Sequence, residues 1–153
     1  MSDAIATGRT LTLERCFAVA PARLFDAWLD PAQVRRFLFA TPAGKMVTVA
    51  IDARVGGDAL IVEQRGDKQA IHRLRYEVID RPHRLVFLFK ACIAGGPVAD
   101  EWTRVSLHIA PDGAGARLTL THDGVWADYE HATRDGWTMI LASLATLMEA
   151  DHG

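Results

Sequence analysis

The chain has 153 residues, half of them hydrophobic and 24% charged, which are proportions of one ordinary globular domain rather than of a disordered chain. Its net charge is −2 with both signs interspersed, so it offers no basic field to nucleic acid or to an anionic membrane surface. No run approaches the roughly 18 consecutive apolar residues that would span a bilayer.

Residues 1–8 are small and polar, lack the basic start and apolar run of a secretory signal, and read as a flexible tail ahead of a single domain over 9–150. The only two cysteines, Cys16 and Cys92, have no CxxC spacing. They read as reduced core residues of a cytoplasmic protein, with pairing between them left open.

From Arg9 to Val19 the apolar residues Leu11, Leu13, Phe17 and Val19 keep a period of two, the mark of a strand with one buried face. Pro21 then opens a short helix with Leu24, Phe25 and Trp28 as its stripe. Asp30-Pro31-Ala32-Gln33 reads as a second helix start, with Val34, Phe37 and Leu38 facing inward. Strand and turn signals follow: Val47–Ile51, a turn at Val55-Gly56-Gly57-Asp58, Ala59–Gln64, a turn at Arg65–Lys68, and His72–Ile79.

In that last segment His72, Leu74, Tyr76 and Val78 share one face, and Arg73, Arg75 and Glu77 the other. Leu85–Phe89 is a nearly all-apolar strand. Glu101–Ile109 puts Val105, Leu107 and Ile109 inside, and Arg117–Asp123 does so with Leu118, Leu120 and His122. The period then lengthens to three and four residues through Gly136, Trp137, Ile140, Leu141, Leu144, Leu147 and Met148. This predicts a helix from about Tyr129 to Ala150, with Asp128 as N-cap. The expected class is α+β: about seven antiparallel strands, strongly curved around one long C-terminal helix, with two short helices after the first strand.

Several strings, in this order, resemble the START-like (SRPBCC) superfamily. Its nearest branch is the one related to the activator of heat-shock protein 90 ATPase, also called polyketide-cyclase-like. They are Phe17-Ala18-Val19-Ala20-Pro21, Leu24-Phe25-Asp26-Ala27-Trp28 with Asp30-Pro31, Asp52-Ala53-Arg54-Val55-Gly56-Gly57, Arg84-Leu85-Val86-Phe87, Leu118–Gly124 and Gly136-Trp137. The resemblance implies a helix-grip fold that holds a small hydrophobic or amphiphilic molecule between sheet and C-terminal helix. Two positions depart from it: Phe37 stands where relatives commonly carry tryptophan, and Leu74 where glycine is common. The separate chaperone-binding domain of the eukaryotic activator has no counterpart here, which argues against a co-chaperone role.

The inward polar residues are the candidates for function, because a buried polar group must find a partner. His72, Tyr76 and His122 face inward, and Glu101 is in phase with Thr103 and Val105, near the mouth if the Gly-Pro loop forms the rim. Glu63 is inward if Ala59 and Ile61 are, which the resemblance favours, or outward if Leu60 and Val62 are buried instead. Trp28, Phe37, Tyr76, Phe87, Phe89, Trp137 and Ile140 are candidates for an apolar lining, and plain core packing is the alternative. Gly136 marks either a close approach of helix and strand or room left for a ligand.

The expected ligand-binding set is therefore Trp28, Phe37, His72, Tyr76, Phe87, Glu101, His122, Gly136, Trp137 and Ile140. A second reading uses cavity His and Glu for the acid–base chemistry of a cyclase or lyase, and a third is a chaperone-associated interaction module. The six histidines lack paired metal-ligand spacing, and Asp52–Gly57 lacks the pattern of a phosphate loop. No metal, cofactor, nucleic acid or membrane partner is expected, and a homodimer is left open.

Overall fold

The structure is a computed structural model and describes residues 8–41, 44–93 and 102–152. Seven strands form one antiparallel sheet: β1 (Arg9–Phe17), β2 (Lys45–Ile51), β3 (Asp58–Arg65), β4 (Lys68–Asp80), β5 (Arg84–Ile93), β6 (Thr103–Asp112) and β7 (Gly115–Val125). Their order across the sheet is β1-β7-β6-β5-β4-β3-β2, so β2 to β7 run as a meander and β1 returns to the far edge. Helices α1 (Pro21–Ala27) and α2 (Pro31–Phe37) follow β1, and α3 (Glu130–His152) closes the chain.

Both short helices start where proline costs nothing, and at α2 Asp30 accepts a hydrogen bond from the Ala32 amide at 3.1 Å. The core lies between the inner sheet surface and α3, with α1 and α2 closing one side. Trp137, Ile140, Leu141, Leu144, Leu147 and Met148 form the buried face of α3, which packs on β1 and α2.

Three details differ from the sequence expectation. Asp128 does not cap the long helix: it lies in a 3-10 turn, Ala127–Tyr129, and α3 begins at Glu130. In β4 the register slips between Tyr76 and Val78, so the face reverses there. Ile79, opposite Leu85, packs on the core, whereas Val78 pairs with Val86, which lies outside the core cluster. An inserted strand residue bends the sheet locally, and β2 carries a similar slip between Met46 and Thr48 that leaves Val47 exposed.

The third difference is Cys16, expected in the core but exposed on β1. Val86 and Leu88 are buried on the outer face of the sheet, as the nearly all-apolar run Leu85–Phe89 allows. Across from Leu88 on β6, Arg104 forms a two-pronged ion pair with Glu77 at 2.7 and 3.2 Å.

Candidate functional site

Glu63, His72 and His122 are the buried polar or charged residues among those described. The register of β3 resolves the Glu63 ambiguity. Ile61 pairs with His72 and Ala59 with Leu74, so Ala59, Ile61 and Glu63 all face inward.

The Glu63 carboxylate accepts hydrogen bonds from the Thr41 amide at 2.6 Å and the Thr41 hydroxyl at 2.7 Å, and pairs with Arg65. Burial alone would raise its pKa, but the Thr41 and Arg65 contacts outweigh that and hold it below the ordinary value. A Cβ on Gly44 would meet this carboxylate, so a larger residue there would displace Glu63 from its partners. Glu63 therefore clamps the connection between α2 and β2 at Thr41.

His122 sits in a hydrogen-bond chain with one polarity. The Trp137 indole N–H donates to His122 Nδ1 at 2.9 Å, so Nδ1 carries no proton. The proton on Nε2 then donates to Thr103 Oγ1 at 2.8 Å, and the Thr103 hydroxyl donates to the Phe89 carbonyl at 3.1 Å. Each group has one role, and the tautomer of His122 follows from its two partners. Burial pulls its pKa down to about 4, against a smaller opposing effect of Asp123.

His72 is held differently. Its Nδ1 lies 3.2 Å from the Ile61 carbonyl, which can only accept, so Nδ1 is the protonated nitrogen. Nε2 keeps a lone pair with no hydrogen-bond partner among the described residues. Burial, and to a lesser degree Arg65, lower the His72 pKa to about 4 despite the Ile61 bond and Glu63.

The two histidines are joined by aromatic rings. Phe39 lies on His72 with ring centres 4.2 Å apart and planes 2° from parallel. It also stacks on Phe89 at 5.0 Å and 14°, and tilts against Trp137 at 5.8 Å. Phe89 and Trp137 each meet the His122 ring near 5.9 Å.

Phe39 was not among the sequence candidates, whereas Phe89 was one of the aromatic residues read as a possible lining. The apolar run Phe37-Leu38-Phe39 was the available signal for Phe39, but the helical period assigns the inner face only as far as Leu38. The ring turns inward because the Phe39 backbone has φ 60°. A bulky residue in that left-handed region carries about 1–3 kcal/mol of strain and persists only where its surroundings hold it. Three ring contacts and the Thr41 clamp do so here.

The other candidates are distributed through the same interior. Trp28 and Phe37 meet edge-to-face at 5.1 Å, and Tyr76 and Phe87 at 6.4 Å. Burial pushes the Tyr76 hydroxyl pKa upward, with a further push from Asp52. The Trp28 indole N–H is buried without a hydrogen-bond partner. Ile140 is buried on α3, and Glu101 lies outside the described residues.

At Gly136 an added Cβ would meet nothing within 4 Å, so no strand backbone approaches and the space is open. Gly136→Ala is accordingly expected to stabilise the fold by about 1 kcal/mol through helix propensity alone. Thermal unfolding checks this, and a lowered midpoint would show that the position is crowded.

Two pockets lie away from these residues. One of about 380 Å³ lies against β2, β3 and β4 and is lined by Asp52, Asp58, Leu74, Arg75 and Trp102 among others. Another of about 180 Å³ lies between β1 and the end of α3, beside Phe17, Ala145 and Met148. Neither is lined by any of the nine candidates among the described residues. Around the histidines the Phe39, Phe89 and Trp137 rings occupy the space under α3. No cluster of three or more His, Cys, Asp or Glu suited to a metal occurs among the described residues.

A curved antiparallel sheet gripping a long C-terminal helix, with polar and aromatic side chains turned toward the helix, defines a START-like (SRPBCC) protein of the helix-grip type. The model of the family described as "Activator of Hsp90 ATPase homolog 1-like protein" matches residues 18–149, and the chain belongs to that family.

Similar solved structures include protein CV1439 from Chromobacterium violaceum, with TM-score 0.80, 24% identity, and coverage of 92% of this chain and 96% of that one. The AHSA1 protein from Silicibacter pomeroyi has TM-score 0.79 and 25% identity, covering 94% and 100%. Protein Mll3558 from Rhizobium loti has TM-score 0.76 and 28% identity, covering 90% and 95%. No curated protein matches the chain. The fold is a ligand-binding kind of domain, and no helix among the described residues is long and apolar enough to cross a membrane.

Proposed function

We propose that the chain works in the cytoplasm, as one domain over residues 9–150, and binds a small hydrophobic or amphiphilic molecule between its sheet and α3. Its lining is drawn from Trp28, Phe37, His72, Tyr76, Phe87, His122, Gly136, Trp137 and Ile140, and Glu101 is a further candidate. The observation that carries this reading is the buried aromatic and histidine cluster under α3. Burial of apolar ligand area, at about 25 cal/mol per Å², supplies most of the affinity, and the histidines orient the polar part.

The cyclase or lyase reading finds less support. The lone pair of His122 is already engaged by Trp137, and a histidine of pKa about 4 is a weak base at neutral pH. The carboxylate nearest in kind, Glu63, is held ionised by Thr41 and Arg65 and is not available as an acid. The chaperone-associated reading rests on the family name alone.

Titration with decanoate, p-cresol, 1-octanol and 8-anilinonaphthalene-1-sulfonate tests the reading. At least one probe is expected to raise the unfolding temperature and to shift the backbone amides of His122 and Trp137 in NMR spectra. If none does, or if the shifted amides map only to the outer sheet face, the proposal fails.

A further inference from the structure

On β4, Arg73 and Arg75 alternate with the inward His72, Leu74 and Tyr76, so they stand on the face of the sheet turned away from α3. One row of side chains crosses four strands there. Ala50 on β2 pairs with Leu60 on β3, Leu60 with Arg73 on β4, and Arg73 with Lys90 on β5. The Lys90 ammonium lies 4.6 Å from the centre of the Trp102 ring, and the Arg75 guanidinium 5.0 Å from it. Ala50, Leu60, Arg73, Arg75 and Trp102 line the pocket of about 380 Å³, a volume within the range of small-ligand sites.

The charges of this row are not balanced. Cations directly opposite each other on paired strands repel, yet Arg73 stands opposite Lys90. Among the described residues, neither has a carboxylate within ion-pair distance. The carboxylates that line the pocket are engaged, Asp58 with Arg75 at 3.1 Å and Asp52 with Arg54 at 2.8 Å. Arg104, on the next strand, is held by Glu77. The Trp102 ring attracts a cation through its face but carries no net charge to neutralise one.

We propose that this pocket binds a phosphate monoester with a compact apolar group, its dianionic head between Arg73 and Lys90 and its apolar part against Leu60 and Trp102.

Two adjacent cations match a dianion. The Arg73 guanidinium offers the paired donors that fit phosphate oxygens, and Lys90 adds a mobile point charge. The head also removes the repulsion between Arg73 and Lys90 that the free protein carries. Leu60 and Trp102 are only half-buried and have apolar surface left to cover. The cations are side chains of two paired strands, so the site needs no phosphate loop. It lies across the sheet from His72 and His122 and is independent of the site proposed under α3.

Phenyl phosphate, benzoate and inorganic phosphate, titrated against the native protein at about pH 8, where the monoester is a dianion, test this by NMR. Phenyl phosphate is expected to shift the Trp102 indole N–H and the backbone amides of Leu60, Arg73 and Lys90, leaving those of His122 and Trp137 in place. Benzoate, with the same ring and one charge, and inorganic phosphate, with the head and no ring, should each bind at least about tenfold more weakly. Arg73→Gln and Lys90→Gln should each weaken phenyl phosphate about tenfold, the loss of one charge-assisted hydrogen bond. Arg73→Gln should also raise the unfolding temperature of the free protein, because it removes one of two repelling charges, whereas a purely structural role for Arg73 would lower it.

Absence of any shift at millimolar phenyl phosphate overturns the proposal. So does native affinity in either variant, or benzoate or inorganic phosphate bound as tightly as phenyl phosphate. Each of these leaves the site under α3 untouched. Phenyl phosphate shifts confined to His122 and Trp137 overturn it and favour that interior site instead.

Discussion

Lowering the pH from 7 to 5 is expected to remove about 4 kcal/mol of folding stability, close to 2 kcal/mol for each of His72 and His122. Both are buried and neutral in the folded chain, with pKa values near 4 against 6.5 for the free side chain. A folded-state pKa below the unfolded one means that the unfolded chain binds more protons. The contribution is therefore complete above pH 6.5, shrinks as the pH falls below that, and is gone below 4.

Glu63 and Asp26 have pKa values lowered from 4.5 and 3.8, so their own losses begin only at the bottom of this range. Urea unfolding midpoints at pH 7, 6 and 5 measure the effect. His122→Gln, whose amide can both accept from Trp137 and donate to Thr103, should halve the slope. A flat profile between pH 7 and 5 would mean that the histidines are not buried as described.

Replacing Trp137 by phenylalanine is expected to cost about 3 kcal/mol. Part of that is the smaller ring in a packed site, and part is the buried Nδ1 of His122 left without a donor. The second part has its own signature. Without the indole N–H the neutral form of His122 loses a partner, so its pKa rises toward the ordinary value. The pH dependence of stability between 7 and 5 should shrink with it.

NMR titration of the His122 ring separates this from simple loss of packing. An unmoved titration midpoint, with a cost under about 1 kcal/mol, would show that the Trp137–His122 bond contributes nothing in solution. Thr103→Val tests the other side of the chain. It removes the acceptor for Nε2–H and should destabilise by about 1–3 kcal/mol, the cost of a buried donor left unpaired.

These expectations depend on contacts between elements far apart in the chain, and that marks the limit of legibility. The inward placement of His72, Tyr76 and His122 was readable, because a strand alternates its faces and their neighbours Leu74, Leu118 and Leu120 are apolar. The same alternation gave the wrong side at Val78, since an inserted strand residue has no sequence sign as clear as a glycine turn. The face of Glu63 stayed open until pairing of Ile61 with His72 set it. Gly136 admitted two readings, and only the distance to the nearest strand separated them.

The placement of the Phe39 ring was the least visible feature. Its direction follows from one backbone angle and from a carboxylate clamp between residues 22 apart in sequence, and neither leaves a periodic trace. Hydrophobic periodicity, prolines and caps sufficed for seven strands, three helices and their order, because those signals act within a turn or a strand and owe nothing to distant partners. The proton positions on the two histidines, the ring over His72 and the space at Gly136 arise only once α3 lies across the sheet. Each depends on donors, acceptors and ring planes brought together from separate elements, where the geometry of approach, and not the order of residues, sets the chemistry.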